Sequence, residues 1–303
     1  MFMKEMLWNE QYNLGIEEID HVHQRLFYLI HKLVRLNETD AGKPVCRETI
    51  QFLKKYSLHH FATEERYMQY TGYEGYQVHK SLHDRMRDEM LPALENELEQ
   101  TSYSQDAVAH FLGVCMGWLA GHILVEDRAM IGKAVNTWIY ESETAPVTLA
   151  QTAAQVFNMV SRQGAQLVAE NYDYNKEAFS DKISLQMSEQ FVYYHFQYAS
   201  SQKETIRAVL GVEEKAVLSM FSAMLGIENQ KLDISMRYAA LQLFSQLLKM
   251  TAVDRKYLEQ YQLEKEEFMT YEQFCDTMED VVLKYRLAYD IGYGLVVLYV
   301  TSH

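Results

Sequence analysis

The chain has 303 residues and a formal net charge of -14, with 42 acidic against 28 basic side chains. That length allows two domains of ordinary size, each with its own core, and the acidity excludes the electrostatic footprint of a nucleic-acid binder and disfavours an anionic membrane surface. Cys46, Cys115 and Cys275 stand far apart and never in a CxxC pattern, which argues against a disulfide framework or a thiolate metal site and for a reducing cytoplasm.

The first nine residues lack a continuous apolar stretch ending in small residues, and no later run is read as approaching the roughly 20 apolar residues of a membrane span. A cytoplasmic protein is expected. Of its 11 histidines, all but His195 and His303 lie at or before His122, so whatever uses them belongs to the N-terminal part.

After Trp8 and the turn-like Asn13-Leu14-Gly15, the segment Ile19 to Leu36 places Ile19, His23, Leu26, Phe27, Ile30, Leu33 and Val34 on one helical stripe. Asp20 is positioned to cap this helix or to orient the His23 ring, and His21 and His31 are expected to face water. Asp40 to Pro44 breaks the chain, with Pro44 suited to the first turn of a second helix over Val45 to Tyr70. Its inward candidates are Ile50, Leu53, Tyr56, His60, Glu64 and Tyr67. Positions i and i+4 lie one turn apart on a helix face, so His60 and Glu64 can grip one ion or adjacent ions. A third helix from Gly75 toward Leu98 carries His79 and His83 at the same spacing, and Pro92 is expected to kink it or loosen its last turns. A fourth, with Ser104 as a candidate cap, runs through Val108, Phe111, Leu112, Cys115 and Leu119 to His122 and Asp127.

The pattern predicts an all-α up-down-up-down four-helix bundle over residues 1–140. Each helix brings at least one histidine to its apolar side. A lone histidine on such a stripe is usually a hydrogen-bonded core residue, but His23, His60, His79, His83 and His122 together with Glu64 and Asp127 need a metal, because a buried carboxylate needs a partner. Imidazole and carboxylate without thiolate suit iron, zinc or manganese in a two-metal bundle site. With Glu64 and Asp127 both bridging, the histidines divide three and two. A bridging oxide or hydroxide then leaves one ion six-coordinate and its neighbour five-coordinate with a vacancy. His79 and His83 share an ion, whereas His60 and His122 can go either way. His122 and Asp127 are five residues apart, about 140° around an ideal helix, so local distortion of π type is predicted there. Leu26, Phe27, Met68 and Ile123 are candidates to wall a dry pocket, and Glu65, His59 and His110 are expected to face solvent or a salt bridge and are not counted as ligands.

The motifs Ile-Asp-x-x-His (Ile19, Asp20, His23), His-Phe-x-x-Glu-Glu (His60 to Glu65), His-xxx-His (His79, His83) and Trp-Leu-x-x-His-Ile-xxx-Asp (Trp118 to Asp127) resemble bacterial hemerythrin over about Leu7 to Ile131. The resemblance implies two non-heme irons with a bridging oxide or hydroxide. His79, His83 and His122 would hold one and His23 and His60 the other, with Glu64 and Asp127 bridging. Dioxygen would be the ligand, at the open position of the His23/His60 iron.

Glu141 to Ala145 is read as the linker. Over 147–303 an α+β domain with an antiparallel sheet is predicted. It starts with a helix from Val147 to Asn171 and strands over Lys182 to Met187, Gln190 to Tyr198 and Glu204 to Val212. Helices follow over Glu213 to Leu225 and Asp233 to Met250, then a charged helical or loop stretch near Glu259 to Glu267. Two strands, Val281 to Tyr289 and Tyr293 to Val300, close it around a tight turn at Asp290-Ile291-Gly292. This order, with the run Ala216 to Gly226, resembles the CheC/CheX-like chemotaxis phosphatases, which carry a Glu-x-x-Asn pair on a helix. Gln242 and Ser245 stand at those positions, so phosphatase activity is not expected, and the domain is read as degenerate. Its expected role is homodimerisation through a sheet edge or docking of a response regulator or other signalling partner. The expected function is an oxygen or redox sensor or carrier. The alternative is a di-iron redox enzyme acting on peroxide or nitric oxide, or an active response-regulator phosphatase.

Overall fold

The computed structural model describes residues 12–37, 43–132, 149–161, 164–172, 188–201, 204–225, 231–251, 261–279 and 283–302. The expected linker at 141–145 and the expected strand at 182–187 lie outside the described residues. The chain divides into two compact units; Asp233–Gln242 groups with the N-terminal one and Leu243 onward with the sheet.

The first unit is helical. Helix α1 spans Glu17–Asn37, α2 Lys43–Thr71, α3 Tyr76–Arg85, α4 Leu91–Gln100, α5 Gln105–His122 and α6 Arg128–Met130. Two π-helical segments, Met86–Met90 and Ile123–Asp127, join α3 to α4 and α5 to α6, so six helices make four rods. The packed pairs are α1 with α2, α2 with α3, α4 with α5 and α5 with α1, which closes the four rods into a ring around one core. Asp20 settles its own role: its carboxylate accepts from the Leu14 and Gly15 amides at 2.8 and 3.0 Å, so it ties the incoming turn to the helix and does not orient the ring. Ser104 caps α5, accepting from the Ala107 amide at 3.3 Å. The disturbance expected of Pro92 lies just before it: the wide π segment relaxes the turn in which a proline ring would crowd the carbonyl four residues back. On α2, Tyr56 and Tyr67 are only half-buried, contrary to expectation, whereas Phe61, Thr63 and Met68 are fully inside.

The expectation that no run is apolar enough to span a membrane needs correcting. Gln105–Met130 is long and apolar enough, but its apolar window is 94% buried within the fold. A helix that is apolar all round is what the centre of a bundle requires.

The second unit is built on a six-stranded antiparallel sheet in the order β1-β5-β6-β3-β2-β4, where β1 is Gln166–Tyr172, β2 Phe191–Ser200, β3 Thr205–Glu213, β4 Tyr261–Met269, β5 Leu283–Asp290 and β6 Leu295–Ser302. Its helices are α7 Leu149–Asn158, α8 Glu214–Leu225, α9 Ile234–Thr251 and α10 Tyr271–Met278. On one sheet face Tyr194 meets Phe244 of α9, and Tyr289 meets Phe157 of α7. On the other, Tyr193 stacks on Phe274 of α10 at 4.3 Å. Both faces are covered, so β2 is buried almost continuously.

Two assignments change. The helix expected to reach Asn171 stops at Asn158, because the Asn158 side chain accepts from the Ala165 amide and Gly164 takes φ +97°, turning the chain into β1. From Tyr261 on, the charged stretch read near Glu259 to Glu267 is neither helix nor loop but edge strand β4, where charged side chains discourage pairing with further chains. Helix α10, not anticipated, starts at a capping box between Thr270 and Gln273. The final hairpin turns as expected, with the Gly292 amide donating to Asp290 and Gly292 at φ +76°.

Candidate metal centre

Seven side chains converge inside the helical unit. His23 comes from α1, His60 and Glu64 from α2, His79 and His83 from α3, His122 from the end of α5 and Asp127 from the π segment beyond it; none is more than 1% exposed. They form two overlapping groups. Glu64 stands with His79, His83 and His122 in one and with His23, His60 and Asp127 in the other, the donor atoms of each group lying within 4.8 Å of one another.

Each carboxylate turns one oxygen to each group. Glu64 Oε1 lies 3.2 Å from His23 Nε2 and 3.6 Å from His60 Nε2, and its Oε2 lies 3.2 Å from His83 and 3.7 Å from His79 and His122. Asp127 Oδ1 is 3.2 Å from His122 and 3.3 Å from His79, and its Oδ2 is 3.4 Å from His23. The π segment makes this possible. Its wider turn brings residue 127 back beneath residue 122, as the five-residue spacing required.

Hydrogen bonding does not satisfy this cluster. Glu64 Oε2, both Asp127 oxygens, both His60 nitrogens and Nδ1 of His23, His79 and His122 are buried without a hydrogen-bond partner. The His122 Nε2 sits 3.0 Å from those of His79 and His83. Ring nitrogens turned on one another among carboxylate oxygens need cations between them, and a nitrogen and oxygen donor set without thiolate fits a pair of divalent ions. Burial, opposed by Glu64, pushes the His60 pKa down to about 3, so it offers a lone pair at neutral pH. Burial also disfavours ionised Glu64 and Asp127, but the imidazoles around them prevail and hold both carboxyls below the usual range. Burial works to lower His122 too; there Asp127 outweighs it and the pKa is pushed up to about 10.

Around the ligands lie groups that fix their orientation. Phe61 stacks on His83 at 4.4 Å and Trp118 on His122 at 4.3 Å. Glu65, expected to face solvent or a salt bridge, places Oε1 3.2 Å from His83 Nδ1. The salt-bridge alternative holds, and its partner is the part sequence reading did not name: a ligating imidazole needs an acceptor for its second nitrogen, and the acid next to Glu64 was the signal. Leu26, Met68 and Ile123 are buried as expected and Phe27 is half-buried beside Tyr12. His59 is exposed, and His110 pairs with Glu97 at 2.7 Å, outside both groups.

Residues 14–134 match the hemerythrin HHE cation binding domain. The bacteriohemerythrin of Clostridium acetobutylicum is 32% identical over 130 residues, covering 41% of this chain and 98% of that protein. The chain belongs to the hemerythrin family. Its hemerythrin part is also similar to the bacteriohemerythrin of Pseudomonas aeruginosa PAO1, 28% identical over 131 residues that cover 43% of this chain and 81% of that one. Chemotaxis protein CheX of Vibrio vulnificus aligns in structure with 51% of this chain and 96% of its own at 7% identity and a TM-score of 0.38. A CheC-like protein of Shewanella sp. PV-4 aligns with 51% of this chain and 94% of its own at 9% identity and a TM-score of 0.39. Gln242 and Ser245, singled out in the sequence, are both buried on α9, and Ser245 Oγ donates to Glu266 Oε2 at 2.8 Å.

Proposed function

We propose that this hemerythrin-family chain is a cytoplasmic di-iron oxygen-binding protein, acting as an oxygen or redox sensor or carrier, with the sheet unit serving dimerisation or a signalling partner. The observation that carries the reading is the unequal division of histidines: three face Glu64 in one group, and two face the same residue in the other. The two-histidine side is the one short of protein donors, and the pair of irons would supply two electrons to an oxygen bound there. Glu64 and Asp127 would hold both ions, each through one oxygen per ion. Leu26, Met68 and Ile123 would exclude water from this part of the unit, and Glu65 would keep the Nδ1 proton of His83 in place. Leu26, Met68 and Ile123 carry no acid or base to drive turnover, which favours binding over catalysis.

The sheet unit is read as non-enzymatic, because Gln242 and Ser245 replace the acid and the amide of the phosphatase pair, and Ser245 is occupied by Glu266. Strand β1 forms one sheet edge and exposes Leu167 and Val168, which suits strand pairing with a second copy. A response regulator is the other candidate partner.

The test is anaerobic reduction of the iron-loaded chain followed by oxygen, watched by visible absorption. A charge-transfer band that appears with oxygen and disappears on its removal is expected. Immediate irreversible oxidation would point instead to redox sensing or turnover on peroxide or nitric oxide. Association of the full chain with itself, compared with and without oxygen, tests whether the site signals, since coupling requires different affinities in the two states.

A further inference from the structure

The sheet face that α10 touches is divided along the strands. Under α10 it is apolar, with Tyr193, Met269, Ala288, Val297 and Phe274 in one cluster. That cluster also takes in Val209 and Tyr299 of the next row, where polar side chains begin. Strand pairing sets Arg286, Tyr299, Val209, His195 and Glu267 side by side across five strands, and Thr301, Arg207, Gln197 and Lys265 in the row beyond. Arg286 is 3% exposed and Thr301 1%. Nε of Arg286, Nε of Arg207, Oγ1 of Thr301 and Nε2 of His195 are all buried without a hydrogen-bond partner.

Among the described residues the carboxylates found on this face are committed elsewhere, Glu264 Oε2 accepting from Gln197 Nε2 at 3.3 Å. Glu267 pairs with His195 Nδ1 at 3.1 Å and with Lys265 at 2.6 Å. Among the described residues neither Arg207 nor Arg286 forms an ion pair, and the Arg286 guanidinium meets only the Tyr299 ring, 5.9 Å away. A buried lysine or histidine can shed its proton to escape such a site, but an arginine cannot. A buried unpaired cation is destabilising, and an anionic ligand would offset that cost.

We propose that these two rows form an oxyanion-binding site, with Arg286 and Arg207 as the clamp, Thr301 as a hydroxyl donor, and a phosphate group as the ligand. Arg286 and Arg207 stand on strands two apart, about 10 Å across the sheet, so one anion between them lies within reach of both forks. Thr301 lies on the strand between and faces Arg207. Donors arriving from three strands suit a tetrahedral phosphate better than a planar carboxylate. His195 spends its Nδ1 proton on Glu267, so its Nε2 is an acceptor, placed for a hydroxyl of a phosphate ester.

The experiment is calorimetric titration of the full chain with inorganic phosphate and, separately, ribose 5-phosphate at constant ionic strength. Saturable binding of either is expected; tighter binding of the sugar phosphate identifies an ester as the natural ligand, and equal or tighter binding of phosphate identifies the free ion. Arg286→Met and Arg207→Met should each weaken binding about tenfold or more. Without ligand, Arg286→Met should melt no lower than the parent, because it removes an uncompensated charge. If that variant does not fold, Arg286→Lys keeps the charge but loses the fork and should still bind more weakly. Absence of saturable binding by the parent at millimolar concentrations overturns the proposal. So does equal binding by parent and variants, which would put the anion elsewhere, the metal centre included.

Discussion

Glu65 Oε1 lies 3.2 Å from Nδ1 of His83, whose Nε2 faces Glu64 Oε2 at the same distance. Two consecutive acids on α2 thus act on one imidazole, Glu64 beside its metal-facing nitrogen and Glu65 behind it. Glu65→Ala should leave the bundle folded but weaken metal retention about tenfold to a hundredfold, measured by chelator competition. Glu65→Gln, which keeps an acceptor oxygen, should fall between the two. Unchanged retention in Glu65→Ala would reduce the contact to a surface ion pair.

Glu64 belongs to both ligand groups and His60 to one. Glu64→Ala should therefore lose more metal than His60→Ala, whose loss confines itself to the two-histidine side. The metal-free Glu64→Ala protein should not be destabilised by a matching amount, since the substitution removes a buried carboxylate. Metal analysis of the purified variants decides the point: parent-level metal in Glu64→Ala would remove its bridging role.

Why some of this was legible and some not follows from the range of the interactions concerned. His60 with Glu64 and His79 with His83 are local, fixed by helix periodicity, and the five-residue step from His122 to Asp127 announced its own π segment. Strand β4 and helix α10 were misread or passed over because charge on β4 hid its strand character, which comes from long-range pairing of Glu267 with His195 and Glu266 with Phe196. The run into β1 reads as helix to Asn171, and the break comes from the Asn158 side chain binding the Ala165 amide and from Gly164 at positive φ. No local pattern shows that Arg286 is buried without an acid. That depends on strands β3, β5 and β6 coming together.

Without a cation opposite it, His122, pushed up to about 10 despite burial, holds a proton at neutral pH, and His79 is shifted in the same direction, its burial outweighed by Asp127 and Glu64. A metal needs their lone pairs, so loading must displace protons. Metal affinity should rise with pH across the neutral range, and loading in weak buffer should acidify the solution by at least one proton per chain. His60, already low, contributes nothing to this release. An affinity independent of pH from mildly acid to mildly alkaline solution would contradict the charge state derived for His122.

His195 and Glu267 link the sheet unit to pH in one direction. Burial, partly opposed by Glu267, holds His195 below its ordinary 6.5 in the folded chain, so as pH falls through that value the unfolded chain takes up the proton first and stability declines. Glu267 is disfavoured as an ion by partial burial, but Lys265 and His195 prevail and hold it below its ordinary 4.5. Its contribution is present above that value and is lost only in more acid solution. Between neutrality and pH 5, on the order of the window set by an ordinary histidine, the decline belongs to His195 rather than Glu267. Denaturant unfolding of the full chain across this interval should therefore show a shallower loss in His195→Gln than in the parent. An identical slope in the two proteins would mean that His195 takes up its proton equally well folded and unfolded.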